Sequence, residues 1–145
     1  MVLDTSARLA ILLDEPERGR FSEAIAQAGQ CALSAATFVE VSMVLESLHG
    51  VGGVRAFDRL LAVAGVAVVP VDTVPVDTVP VDTVQAEAAR EAFRQYGNGR
   101  HRAALDFGDC FAYALARTRS EPLLYKGTDF ALTDLRSALG SAPPA

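Results

Sequence analysis

The chain has 145 residues, of which 50% are hydrophobic and 21% charged, and a formal net charge of −5. That composition fits one soluble domain with a real core and excludes wholesale disorder. It also excludes attachment to nucleic acid through a broad basic surface, because such affinity comes mainly from neutralised phosphates.

In chain order, Val2 and Leu3 form a short apolar strand that closes on Asp4, and Thr5 to Asp14 continues at helical period with Leu9, Leu12 and Leu13. Asp4, Arg8 and Asp14 interrupt this opening, so it is too short and too charged for a membrane span or a signal segment, and the chain reads as cytoplasmic and mature from Met1. A second helix starts near Pro16 and runs to about Ala28, with Phe21, Ala24, Ile25 and Ala28 on its apolar face, before Gly29 ends it. Cys31 to Leu33 reads as a buried strand, and Ser34 as the N-cap of a helix whose inner face is Phe38, Val41, Val44, Leu45 and Leu48. Gly50 to Gly53 breaks that helix, and Val54 to Ala64 is a further amphipathic segment. The β-branched run Val66 to Val69 reads as a strand.

That strand leads into PVDTVPVDTVPVDTV, identical units running from Pro70 to Val84, with one carboxylate in each: Asp72, Asp77 and Asp82. The flanks read continuously if a single unit is kept, so residues 70–84 are expected to be an inserted loop, with Asp82 or Thr83 capping the next helix. Proline at every fifth position withholds a backbone donor and disfavours a central strand or helix, so the acids of the repeat are read as solvated. Gln85 to Tyr96 is then helical with Ala88, Ala89, Ala92 and Phe93 inward, and stops at GNG. A basic loop, Arg100 to Arg102, precedes an apolar helix from about Asp106. Pro122 to Tyr125 is a buried strand, the segment around Leu132 to Leu135 is a candidate for one more, and SAPPA is a frayed tail.

Strands alternating with helices predict an α/β domain over residues 1–139, with a mainly parallel central sheet of about five strands flanked by helices, and a flexible tail at 140–145. Ligands of such sheets bind outside the carboxyl ends of the strands. The two cysteines, Cys31 and Cys110, sit in small or apolar surroundings without CxxC spacing and read as reduced, packed thiols.

Three carboxylates stand where acids are costly. Asp4 closes the first strand, Glu40 interrupts TFVEVSMV, and Asp109 interrupts LDFGDCFAYALA. A buried carboxylate becomes protonated, pairs with a base or binds a metal. Three within about 5 Å would repel by roughly 3 kcal/mol per pair at an effective dielectric near 20. Few bases are nearby, so Mg²⁺ or Mn²⁺, which take oxygen ligands, is the economical solution. Each acid also has a plain structural reading: Asp4 as an N-cap, Glu40 as a solvent-facing helical residue, Asp109 as a favourable first-turn acid. Asp106 reads as the N-cap of the same helix or as an outer acid of the site, and Asp129, after PLLYKG, as a fourth acid or as turn chemistry.

VLDTSA, Glu40 within SAATFVEVSMVLE, YGNGRH, LDFGDCFAYALA and PLLYKGTDF, in that order over nearly the whole chain, resemble a PIN-domain ribonuclease of the VapC toxin type. The resemblance implies a three-layer fold, acids holding one or two Mg²⁺ or Mn²⁺ ions at the sheet's carboxyl edge, cleavage of RNA such as tRNA or rRNA, a homodimer, and neutralisation by a VapB-type antitoxin. Asp4, Glu40 and Asp109 match the family's first three acids, and the fourth role falls to Asp129, because the stretch where many relatives carry an extra Thr or Asp is Tyr125, Lys126 and Gly127 here. Asn98, Arg102 and Asp106 stand where Lys, Pro and Asn are common.

Arg100, His101 and Arg102 precede the helix bearing Asp109 and are candidates for steering RNA phosphates, with a solvated loop as the bland alternative. The competing function is a Mg²⁺-binding phosphoacceptor of the receiver type, suggested by Lys126, or a non-catalytic binding domain. A receiver would need adjacent acids after the first strand, which DTS does not supply.

Overall fold

Very short strands carry this sheet, so most of its stability comes from the helices that cover its faces. The computed structural model describes residues 1–63, 76–79 and 81–140. Strands β1 (Val2–Leu3), β2 (Cys31–Ser34), β3 (Val76–Val79) and β4 (Leu123–Leu124) form a parallel sheet in the order β3-β2-β1-β4. Val2 pairs with Ala32 on one side and Leu123 on the other, so β1 is central and buried on both faces.

Helices α1 (Thr5–Leu12), α2 (Arg18–Gln27) and α3 (Ala35–Val63) cover one face, where Leu3, Cys31, Leu33 and Leu124 meet Phe21, Val41, Leu45 and Phe57. Helices α4 (Thr83–Tyr96) and α5 (Phe107–Arg119) cover the other, where Val2, Ala32 and Leu123 meet Ala89, Ala92, Ala112 and Leu115. The alanines let α4 and α5 pack closely, and Gln85, buried between them, is satisfied by donating from Nε2 to Thr118 Oγ1 at 2.7 Å. Each fully buried Leu or Phe of this core contributes about 1.5–3 kcal/mol. Both cysteines are free and buried, as expected from the sequence.

The three-layer α/β architecture agrees with the sequence reading, and several details differ. Among the described residues the sheet has four strands. The segment expected near Leu132 to Leu135 is instead a 3-10 turn at Phe130–Leu132, followed by one parallel bridge between Leu123 and Ser137. The expected break at Gly50 to Gly53 is a kink inside α3: Gly50 takes φ +60°, and a Cβ on Gly53 would lie 2.7 Å from the Leu45 carbonyl oxygen, so both glycines are needed to fold the second half of α3 back. Leu48 and Phe93, expected inside, are 60% and 40% exposed.

The strand expected at Val66 to Val69, the first unit of the repeat and the tail at 141–145 lie outside the described residues. The second unit does more than the loop expected of it: Val76–Val79, the proline-free stretch of that unit, pairs with Cys31 to Ser34. Among the described residues it is the edge strand of the sheet, a position compatible with proline in the adjoining sequence. The third unit supplies the N-cap of α4, Asp82 accepting from the Gln85 N–H at 2.9 Å, as the sequence suggested. No helix among the described residues is long and apolar enough to cross a membrane.

Arg8 is the anomaly of this core. It lies 3% exposed on α1, its guanidinium 5.8 Å from the Phe57 ring, and among the described residues its Nε and Nη2 meet no acceptor. Burial pulls its pKa down to about 10. Arg8→Met keeps the stem packing and removes the desolvated charge, so it is expected to stabilise the fold by about 1–3 kcal/mol in urea unfolding. A destabilised variant would mean that the guanidinium is satisfied.

Candidate active site

The carboxyl edge of the sheet gathers the ends of three elements. Asp4 follows β1 and is the N-cap of α1: its Oδ2 accepts from the Ser6 N–H at 2.9 Å and from Ser6 Oγ at 2.5 Å. Ser6 Oγ in turn accepts from the Lys126 N–H at 2.9 Å, which ties the loop after β4 to the same point. The capping reading of Asp4 is therefore correct, and it is incomplete. The residue is 2% exposed, and its second oxygen, Oδ1, is buried without a hydrogen-bond partner among the described residues.

Glu40 reaches the site from α3. Its Oε2 accepts from Thr5 Oγ1 at 2.5 Å, one residue beyond Asp4. Its carboxylate also lies against Gly108 at the start of α5, in the space that any Cβ at that position would fill. Gly108 is thus the reason that an acid from α3 can approach the end of a helix on the other side of the sheet. Asp109, the next residue, forms a capping box with Asp106: Asp106 Oδ1 accepts from the Asp109 N–H at 3.0 Å, and Asp109 Oδ2 accepts from the Asp106 N–H at 2.9 Å.

The electrostatics link these groups. Burial raises the carboxyl pKa of Asp4, Glu40 and Asp109, and their hydrogen bonds only partly oppose it. The negative charge of Asp106 raises all three, and that of Asp4 raises both Glu40 and Asp109. Asp109 is pushed up to about 7. Each carboxylate is held back by a local donor, and no three His, Cys, Asp or Glu side chains among the described residues converge tightly enough to enclose an ion as they stand.

The donor set nevertheless fits a hard divalent cation. It consists only of carboxylate oxygens, one of them buried without a partner, and no lysine or arginine side chain forms an ion pair with Asp4, Glu40 or Asp109 among the described residues. Lys126, the lysine beside the site, is drawn away to Glu15 and Glu17 at 2.8 and 3.0 Å.

The fourth acid expected from the sequence is placed differently. Asp129 is exposed at the start of the 3-10 turn, makes no capping hydrogen bond, and contributes to none of the three raised pKa values. Asp106 contributes to all of them. In the basic loop, His101 Nδ1 accepts from the Ala103 N–H at 3.1 Å with its ring edge-on to Tyr96, while Arg100 lies over the Phe93 ring. Sequence reasoning missed Thr5, Ser6 and Gly108, which orient the acids; their one sequence signal is adjacency to Asp4 and Asp109. A cavity of about 640 Å³ lined by Met1, Arg20, Pro122 and Leu139 contains none of these acids.

The PIN domain family matches residues 1–135. The chain is 47% identical over 135 residues to a protein named Ribonuclease VapC from Mycolicibacterium smegmatis, covering 93% of this chain and 97% of that one. It is 44% identical over 135 residues to Ribonuclease VapC30 of Mycobacterium tuberculosis, covering 93% and 95%. Its fold is similar to the crystal structure of Mycobacterium tuberculosis VapC20, a sarcin–ricin loop cleaving toxin, with a TM-score of 0.66 at 18% identity over 92% of this chain and 95% of that one.

Two outcomes follow from this geometry. Because the folded state holds a proton on Asp109 up to about pH 7 while the unfolded chain releases it near the ordinary carboxyl value, Asp109 favours folding at low pH and loses that contribution as pH rises through about 7. In EDTA, Asp109→Asn is expected to gain stability relative to wild type between about pH 5 and pH 8 in urea unfolding; an unchanged difference would contradict the raised pKa. Gly108→Ala is expected to displace Glu40 from Thr5, costing about 1–3 kcal/mol of stability with helical circular dichroism retained. Unaltered urea unfolding would contradict the contact.

Proposed function

The chain belongs to the PIN-domain family, among its VapC ribonucleases, and from that premise we propose that it hydrolyses RNA phosphodiester bonds through Mg²⁺ or Mn²⁺ held by Asp4, Glu40 and Asp109. It is an endoribonuclease toxin of this family, which acts on RNA and pairs with VapB antitoxins. The observation that carries the metal reading is the unpartnered, buried Oδ1 of Asp4 beside two further carboxylates, Glu40 and Asp109, raised by burial and by the charges of Asp4 and Asp106.

When bound, a divalent cation polarises a phosphate oxygen, activates water and neutralises charge on the leaving oxygen. Asp4 holds its place through Ser6, which keeps Oδ2 engaged and leaves Oδ1 as the inward donor. Asp109 presents its carboxylate from the first turn of α5, fixed by the Asp106 N–H. Glu40, braced by Thr5 and Gly108, binds the ion directly or accepts the proton of the attacking water. Asp129, at the start of the 3-10 turn after the loop that the Lys126 N–H anchors to Ser6, is assigned an outer role as the fourth acid. Arg100, His101 and Arg102 are exposed in the loop before α5 and are assigned to the RNA backbone. In this reading the protein acts on RNA in the cytoplasm and is assigned a homodimer held inactive by a cognate VapB-type antitoxin.

A receiver-like phosphoacceptor is not favoured. Such a site uses its lysine beside the acids, whereas the Lys126 ammonium is paired with Glu15 and Glu17.

The test is incubation of the purified protein with total RNA. Cleavage is expected with Mg²⁺ or Mn²⁺, absent with EDTA, and reduced about a hundredfold or more in Asp4→Asn and Asp109→Asn. Cleavage that persists in EDTA, or in both variants, would overturn the metal reading.

A further inference from the structure

Phe107 sits between Asp106 and Gly108 at the first position of α5, and it is 77% exposed. An aromatic ring left in water next to a catalytic carboxylate has no structural return in the isolated chain. Its ring meets Phe111 edge-on at 5.0 Å, and the two rings, with Ala86, Ala89, Arg90 and Phe93, line a groove of about 400 Å³ between α4 and α5. Phe93, which the sequence pattern had placed in the core, is instead 40% exposed, supported from behind by the backbone of Gly97 and covered by the Arg100 guanidinium at 5.2 Å.

The groove is apolar apart from Arg90 in its lining, with the Arg100 guanidinium over the Phe93 ring at one end and Asp106 preceding Phe107 at the other, in a chain whose net charge is −5. Neither Arg90 nor Arg100 forms an ion pair among the described residues. Flat aromatic faces beside unpaired arginines are the recurring chemistry for unstacked nucleobases: the ring stacks on the base and the guanidinium donates hydrogen bonds to its phosphate. Phe107 begins the same helix turn that carries Asp109, so the groove and the acids are separated by about one helix diameter, roughly 10 Å.

We propose that the groove between α4 and α5 is a nucleobase subsite, in which Phe107 and Phe93 stack a base of single-stranded RNA lying beside the phosphate to be cut, with Arg90 and Arg100 on its backbone. The proposal rests on the ribonuclease reading and adds a requirement to it: the substrate must present an unpaired base next to the scissile bond. A rigid duplex offers no ring to this groove.

The chain contains no tryptophan, so Phe107→Trp introduces a single reporter at the subsite. In an Asp109→Asn background, which keeps the RNA intact, an oligoadenylate of about twelve nucleotides is expected to quench its emission, and an abasic oligonucleotide of equal length is expected to leave it unmoved. Phe107→Ala in the same background is expected to weaken oligoadenylate binding about tenfold without changing the affinity for the abasic strand. Emission that oligoadenylate leaves unmoved, or that both strands quench equally, would overturn the subsite. So would a Phe107→Glu variant that sediments as a monomer where the parent is a dimer, since the face would then lie between two copies of the chain. Cleavage of total RNA by the wild type, run in parallel, reports on the metal reading separately, so the two ideas fail independently.

Discussion

Everything at the working edge of this protein is arranged around one buried carboxylate with an unused oxygen. Asp4 caps α1 with Oδ2 and leaves Oδ1 in the interior without a partner among the described residues. Burying such an atom costs several kcal/mol unless something pairs with it. The neighbours make the cost larger, because Glu40, Asp106 and Asp109 all bring negative charge to the same edge. In the proposed mechanism a divalent cation would turn this repulsion into ligation.

The fold bears that arrangement because its short parallel strands deliver three chain ends to one place. β1 ends at Asp4, β2 ends at Ser34 where α3 begins, and β4 leads to the Lys126 N–H that bonds Ser6. Backbone space decides the rest. Without a side chain at Gly108, the carboxylate of Glu40 can rest on the first turn of α5, and the capping box keeps that turn in position beside it. Strands of two to four residues could not hold such geometry alone; α3 and α5, packed on opposite faces of the sheet, hold it for them.

The layer order and the three acids were legible in the sequence for the same reason: hydrophobic periodicity states what is buried, and Asp4, Glu40 and Asp109 violate it. Asp82 and Asp106 were legible as caps because capping is local chemistry. What could not be read depends on neighbours distant in sequence. Periodicity assigned Phe93 and Leu48 to the core, but a helix shows only which residues share a face, and α4 and α3 leave these two at the edge of theirs. The repeat was legible in part: Asp82 caps α4 as its position suggested, but the prolines pointed to a loop throughout, and the second unit instead forms strand β3. Asp129 and Asp106 both read as outer acids in the sequence, and the reach of the Asp106 charge to Asp4, Glu40 and Asp109 depends on packing that no local pattern states.

Whether Asp4 is a metal ligand is measured, without any substrate, by a Mn²⁺ titration followed by the electron paramagnetic resonance of the free ion. Saturable binding is expected, tighter near pH 8 than near pH 6 because a proton must leave Asp109, and weakened about tenfold or more by Asp4→Asn. Mn²⁺ bound equally well by Asp4→Asn, or not bound by the wild type at all, would contradict it.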